Sequence, residues 1–593
     1  MVVLRKPLSE DGDYGGTKLS LLMEKQHNRG QDGAGAAILA ANPVPGEPPY
    51  WITKSASATP LADVLAAIGK RPSMSHRDTG PQSVSGMERT PRASSPLREK
   101  IFLGHLRYAT FGKNDAAFCH PFVHQASELG HTLLLAGNFN LTNTGELFEN
   151  YRRQGEFPTS RADGYLLCEM VAHGLSGGKS LASALSSALS GADGAWTLCG
   201  MTGDGWAFAT RDPHGIRPGF CYIDDDVVVV ASERPAIQAA FDSPPEAVKE
   251  LPPGMALIVS PAGEVSFHPL FNPQPSTLNS QLPTFNSQLS TIDSPRPCAF
   301  ERIYFSRAND ADIHRERKAL GAALLPAILE AADAGLEDIF FSYIPNSAQV
   351  AFHGLLEELI ANVKNLPRFG QIAVKDAKFR TFIADAHSRE EFYRHVYDVT
   401  YGLVRPGLDT LVVLDDSIVR GNTMRNAILP MLDRLGPKRI VVASSAPPIR
   451  YPDCYGIDMS TLGELVAFRA LVNLLGDGAA QVLRDALDAG GHDPLAPLYA
   501  RFSGEEHCAE IARLLTPPGM KAEVKVVFQN VENLRRCLAP SNLRPWTLDL
   551  GPWTFDQQIG DWYFTGDYPT PGGYNVLRKA LENYLGGCGE RPY

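Results

Sequence analysis

The chain reads as a two-domain protein mixing α/β and α+β classes: four αββα layers over residues 1–268, then a parallel-sheet domain over 298–475. Three observations predict the division into two domains and the parallel sheet of the second; the four layers of the first go with a resemblance given below. At 593 residues the chain exceeds what one hydrophobic core supports. A stretch at 269–297, rich in Ser, Thr, Asn, Gln and Pro, divides it. Beyond that stretch, the apolar runs at 339–344, 411–414 and 439–443 have the near-continuous Val, Ile, Leu and Phe of strands buried on both faces, the pattern of a parallel sheet.

Composition narrows the class. Hydrophobic residues make up 44% and charged residues 20%, as in a globular enzyme. The formal net charge of −11 argues against nucleic acid as a partner, because a phosphate backbone needs a basic face. No apolar run approaches a membrane span and the first residues lack a secretory pattern, so no membrane partner is expected. The nine cysteines are scattered without a Cys-x-x-Cys pair, which fits a reducing cytoplasm better than a disulfide framework or zinc ribbon.

Taken in order, Met1-Val-Val-Leu4 reads as a strand already under way, and 19–27 as a helix with Leu19, Leu22 and Met23 on its apolar face. A glycine-rich turn, Asn28-Arg-Gly-Gln-Asp-Gly-Ala-Gly35, leads into an apolar run at 36–41. Residues of about 70–98 are Ser, Pro, Arg and Gly without periodicity, a surface insertion. Order returns over 101–112, and strands are expected at 133–136, 194–201, 206–210 and 227–231, the second and third forming a hairpin. Arg211-Asp-Pro-His-Gly-Ile-Arg-Pro218 follows that hairpin as a fixed turn. The linker repeats at a period of seven, yet it is too short and polar for a coiled coil. A helix over 312–332 precedes the strand at 339–344, which ends in the turn Pro345-Asn-Ser-Ala348. Residues 476–593, with Trp546, Trp553 and Trp562, read as an α+β extension.

The clearest chemistry lies at 411–423, Leu-Val-Val-Leu-Asp-Asp-Ser-Ile-Val-Arg-Gly-Asn-Thr, with a helix expected over 424–435. A strand that enters a small-residue loop and then a helix holds phosphate well. Backbone N–H groups and the helix N-terminus face the anion, and Gly421 lets the chain come close. Asp415 and Asp416 suit ribose hydroxyls or a Mg²⁺ ion. The plainer reading is an acidic pair that opens a turn, but adjacent carboxylates at a strand end are uncommon without a cation or ligand.

This stretch closely resembles the phosphoribosylpyrophosphate (PRPP) signature of type I phosphoribosyltransferases, in the version of the amidophosphoribosyltransferase family. The resemblance extends over roughly 15–470 outside the two low-complexity insertions. Asn28-Arg-Gly-Gln-Asp-Gly-Ala-Gly35, Gly104-His-Leu-Arg-Tyr-Ala-Thr110 and Gly137-Asn-Phe-Asn-Leu-Thr-Asn143 resemble elements of N-terminal-nucleophile (Ntn) glutaminase domains. Cys298-Ala-Phe-Glu-Arg-Ile-Tyr-Phe-Ser-Arg307 and Pro447-Pro-Ile-Arg-Tyr-Pro452 with Tyr455-Gly-Ile-Asp-Met459 resemble the phosphoribosyltransferase half. The implied reaction is transfer of ammonia, drawn from glutamine, to C1 of PRPP. It gives 5-phosphoribosylamine and pyrophosphate, the first step of de novo purine biosynthesis.

The resemblance also implies roles. Arg107 and Asp163 would bind glutamine by its carboxylate and amino groups, with Asn138 as oxyanion donor; Phe139 replaces the family's glycine. PRPP would be bound by Ser347, Asp415, Asp416, Ser417, Arg420, Gly421, Asn422 and Thr423, with Asp415 and Asp416 as Mg²⁺ ligands. Lys375 and Arg380 would neutralise departing pyrophosphate. Cys298 and Cys454 lie near two ligand positions of the [4Fe–4S] cluster that some members carry, but paired C-terminal ligands are missing and no cluster is expected. Purine-nucleotide feedback and homo-oligomerisation are expected with the family. Its nucleophile is an N-terminal cysteine that uses its own amine as base, whereas here Met1-Val2 lead and the first cysteine is Cys119. Either the true start lies upstream or the glutaminase half is inactive. The alternative to an enzyme is a PRPP-binding regulator without catalysis.

Overall fold

The computed structural model describes residues 1–6, 13–41, 48–71, 99–108, 115–160, 162–271, 295–363, 366–375, 397–538 and 558–588. Most of the insertion expected near 70–98 and of the linker at 269–297 lies outside them. The chain divides into two compact units, the second starting at Cys298.

The first unit stacks two antiparallel sheets. One has seven strands in the order Lys249–Glu250, Phe220–Ile223, Val227–Ala231, Val2–Leu4, Glu99–Arg107, Gly33–Ala40, Tyr50–Ser55. The other has six, in the order Val265–Pro269, Met255–Val259, Ala207–Arg211, Gly194–Thr202, Leu133–Leu141, Phe122–His124. Side-chain alternation explains the layering. Val3, Leu39, Ile101 and Leu103 from one sheet meet Leu134, Ala136, Met201 and Leu257 from the other. The opposite face of the first sheet, with Val2, Ile38 and Phe102, takes Leu19, Leu22 and Met23 of the helix Tyr14–Lys25. The outer face of the second, with Leu133, Leu135 and Leu141, takes Leu166, Leu167 and Val171 of the helix Asp163–Ser176. The result is αββα. Arg211 is fully buried in the turn the sequence marked. Its guanidinium donates to the carbonyls of Arg217 (2.7 Å), Gly215 (2.6 Å) and Leu251 (3.1 Å) and to Glu250 (2.7 Å).

The second unit holds a five-stranded sheet, all parallel, in the order Arg368–Phe369, Ile339–Tyr343, Thr410–Asp415, Arg439–Ser444, Glu523–Phe528. Leu411 and Val413 face one core while Val412 and Leu414 face the other, so the apolar run is buried on both sides. The last strand comes from the C-terminal segment, which also buries Trp562 and Tyr563; the Cys298 thiol lies 3.1 Å from the Tyr563 hydroxyl. Two helices depart from expectation, both at prolines. The one expected over 312–332 breaks between Ala311–Ala323 and Leu325–Ala332, with Pro326 opening the second piece. The one expected over 424–435 begins as a π-helical turn, Met424–Ile428, before Leu429–Asp433. Pro430 has no N–H for the Asn426 carbonyl, and a π turn absorbs that loss. Among the described residues one run, Val466–Asp488, is long and apolar enough to cross a bilayer by length and composition. It breaks at Gly476, whose φ is +72°.

Candidate active site

The acidic pair ends the central strand of the parallel sheet, at the carboxyl edge where open α/β sheets bind ligands. The neighbouring strand ties down its backbone: Ser445 N–H donates to the Asp415 carbonyl (3.0 Å), and Ser445 Oγ and Ala446 N–H donate to the Asp416 carbonyl (3.1 and 3.0 Å). Asp415 Oδ1 accepts from Asp416 N–H at 2.9 Å, and Asp416 Oδ1 accepts from Ser417 Oγ at 2.9 Å. Ser347, in the turn after the adjacent strand, also bonds the Asp416 carboxyl. Burial, then the charge of Asp416, drives the Asp415 carboxyl well up. Burial also raises Asp416, opposed by the two serines and the charge of Arg317. Such a pair resists full ionisation until a cation or hydroxyl donors arrive.

Gly421 has φ +76°, and a Cβ there would lie 2.3 Å from Leu515 Cδ2. Arg425 N–H donates to the Gly421 carbonyl at 2.9 Å as the helix starts, and Asn422 and Thr423 stand exposed at this bend. The Arg420 guanidinium turns to Glu464 (2.6 Å) and to Asp458, whose carbonyl and carboxylate lie at 3.1 and 3.4 Å. Lys375 closes an antiparallel ribbon, Ala373–Lys375 with Tyr397–Val399, in which it pairs with Tyr397. The ribbon is rooted at the carboxyl edge of the sheet, where Ile372 N–H donates to Ser342 Oγ (3.1 Å) and Thr400 N–H to the Ile372 carbonyl (2.9 Å). Burial, with the charges of Asp415 and Asp416, pushes the Tyr397 phenol up to about 12. Arg380 lies outside the described residues.

In the first unit, Arg107 and Asn138 stand on the inner faces of opposite sheets. Arg107 continues the alternation of Ile101 and Leu103, and Asn138 that of Leu134 and Ala136. Arg107 is buried, bonds the Cys119 thiol and lies over the Phe118 ring. Phe139 points the other way, onto Gly164, where a Cβ would come within 2.6 Å of its ring. It therefore packs on the helix layer and leaves the inner face to Asn138. Asp163 opens the helix Asp163–Ser176, accepting from Gly164 N–H at 2.8 Å and from the Leu141 backbone. Burial lifts its carboxyl to about 6.

Two histidines absent from the sequence-based list support this corner. His105 and His120 stack with centroids 4.0 Å apart and planes 11° from parallel. His120 Nδ1 accepts from Gly137 N–H (3.2 Å), and His105 Nε2 lies 3.0 Å from the Gly137 carbonyl, so both backbone groups of the residue before Asn138 are held. Burial pushes His105 down to about 4, and burial with the neighbouring cationic groups holds His120 well below its ordinary value, keeping both neutral. Nothing in the spacing of 105 and 120 announces this. Met1 lies in the same sheet, its amino group donating to the Val230 carbonyl at 2.7 Å.

No family model matches the chain. Among curated proteins, it is 30% identical over 379 residues to the amidophosphoribosyltransferase of Bacillus subtilis, covering 63% of this chain and 71% of that protein. The Archaeoglobus fulgidus amidophosphoribosyltransferase is 28% identical over 385 residues (64% and 76%), and that of Escherichia coli 29% over 424 (66% and 76%). Two solved structures share the fold at 24% identity. One is the B. subtilis glutamine PRPP amidotransferase complexed with ADP and GMP, with a TM-score of 0.63 over 96% of this chain and 97% of that one. The other is described as the allosteric regulatory enzyme of purine biosynthesis, with a TM-score of 0.64 over 96% of each. With an acidic pair at the edge of a parallel sheet, an αββα unit beside it in sequence and these relatives, the chain belongs to the amidophosphoribosyltransferase family.

Proposed function

We propose that the protein transfers ammonia to C1 of PRPP, releasing pyrophosphate and forming 5-phosphoribosylamine, and that its first unit binds glutamine as the nitrogen source. The observation that carries this reading is the buried pair Asp415–Asp416 at the edge of the parallel sheet, followed by a glycine-bearing turn and a helix start. The ammonia lone pair forms the C1–N bond as the C1–O bond to pyrophosphate breaks; the electrons leave with pyrophosphate and the new ammonium sheds a proton. Asp415 and Asp416 hold the ribose, the backbone of 417–423 holds its phosphate, and Ser347 lies beside the acidic pair on the pyrophosphate side. Lys375 and Arg380 meet the charge that grows on the leaving group.

Among the described residues no three His, Cys, Asp or Glu side chains gather as a metal cage. Two carboxylates nevertheless fit Mg²⁺, which is commonly bound by one or two together with waters and substrate phosphates. Asp415 and Asp416 would hold it, and when bound it supplies charge neutralisation to the diphosphate. For glutamine, Arg107 clamps the carboxylate, Asp163 takes the amino group and Asn138 donates to the oxyanion. The nucleotides in the B. subtilis structure support feedback by purine nucleotides on this enzyme. A cytoplasmic homo-oligomer is the setting the family suggests.

The test is pyrophosphate release by the full chain with PRPP and Mg²⁺, using ammonium chloride or glutamine as nitrogen donor, with and without AMP or GMP. PRPP binding without turnover on either donor would favour a regulator over an enzyme.

A further inference from the structure

The turn after the acidic pair is held by a different part of the chain. Val466 N–H donates to the Val419 carbonyl (2.9 Å), and Arg469 Nη2 donates to the Arg420 carbonyl (2.9 Å). Arg425 donates to the Leu514 carbonyl, and Leu515 packs against Gly421 so closely that no Cβ fits between them. Arg420 adds the ionic member of this set. Its Nε meets Glu464 at 2.6 Å and its Nη2 meets the Asp458 carbonyl and carboxylate. Each attachment reaches from 419–425 to 458–515, so the loop is shaped by that segment as well as by its own sequence.

We infer that Arg420 is a positioning residue, bracing the loop at 417–423 against Glu464 and Asp458, and that those two acids share in PRPP recognition without touching the ligand. The inference rests on reading this loop as the phosphoribosyl site. A guanidinium engaged by two carboxylates brings little net positive charge to a phosphate, and it would have to leave both to bind one. The brace acts on the peptide units whose N–H groups must converge on the anion. Freeing the side chain lets the loop sample other conformations and lowers the fraction competent to bind.

The experiment is a double-mutant cycle on the full chain, with E464Q, R420Q and the double variant, reading KM for PRPP and kcat separately in the ammonia-dependent assay. Partly exposed ion pairs contribute modestly, so E464Q should raise KM roughly 2–5-fold, leaving kcat within about twofold and the melting temperature little changed. R420Q should do about the same and the double variant no more, because one interaction is being removed twice. The charge-reversed pair R420E/E464R should recover part of the loss. D458N, with the same direction and a smaller size, serves if the Arg420 variants fold poorly. An Arg420 that bound phosphate directly would give the opposite pattern: R420Q costly by roughly 10–100-fold, E464Q neutral or tighter-binding, effects additive. That result overturns the inference alone. A wild-type protein that neither binds PRPP in calorimetry nor releases pyrophosphate overturns the reading of the site, and the inference with it.

Discussion

Replacing Asp163 by asparagine should change the pH dependence of the first unit's stability. Burial holds the Asp163 carboxyl at about 6 instead of the usual value near 4. The folded state therefore binds the proton more tightly than the unfolded state. Stability is greatest while both states are protonated, falls as pH rises through about 6, and is then lower by about 3 kcal/mol. Roughly half of that fall lies between pH 5 and pH 8. Asparagine cannot titrate. Any penalty from setting the amide against the N–H groups of Gly164 and Leu141 is the same at every pH and cancels in the comparison. Calorimetric melting of wild type and D163N across pH 5–8 should show the difference moving toward the variant by roughly 2–3 °C as pH rises, for a unit of this size. A difference that stays constant across the range would refute the raised carboxyl and with it the burial argument.

Glutamine binding should release a proton near pH 6, because a ligand ammonium beside Asp163 draws its carboxyl into the ionised form. Calorimetry in buffers of different ionisation enthalpy measures that proton, and D163N should abolish it. The double variant Asp415→Asn/Asp416→Asn should keep its far-ultraviolet circular dichroism and lose at least about a hundredfold in pyrophosphate release, since the group that orients the ribose and its cation is gone. Gly421→Ala should cost about 1–3 kcal/mol in stability and raise KM for PRPP. It combines a left-handed backbone with a methyl 2.3 Å from Leu515 Cδ2. Relieving the contact with Leu515→Ala should recover only part, because the backbone strain remains.

The central strand was legible because each of its residues is apolar and each is buried, so periodicity and environment agree at Leu411, Val412, Val413 and Leu414. The two helix breaks were hidden in plain sight: Pro326 and Pro430 lie within runs whose apolar spacing is helical, and spacing alone does not register a missing N–H. The alternation of strand residues places Arg107 and Asn138 on facing surfaces, which the motif spacing could not say. The partners of Arg420 are another matter. Glu464 and Asp458 stand 44 and 38 positions further along the chain, with no local pattern linking them to the loop. The grip of His105 and His120 on Gly137 is equally invisible, since it depends on how a strand and a loop meet.

The strand Glu523–Phe528 has a consequence for how the protein is made. It pairs along the whole length of Arg439–Ser444, yet about 80 residues of synthesis separate the two. At the usual 5–20 residues per second, the ribosome leaves that edge unpaired for something like 4–16 s. During this interval a row of backbone donors and acceptors, flanked by Ile440, Val441 and Val442, is offered to any extended segment nearby. Neither core beside the sheet can close, because Val526 belongs to one and Val527 to the other. A chain truncated before Glu523 should therefore be open-edged and prone to aggregate.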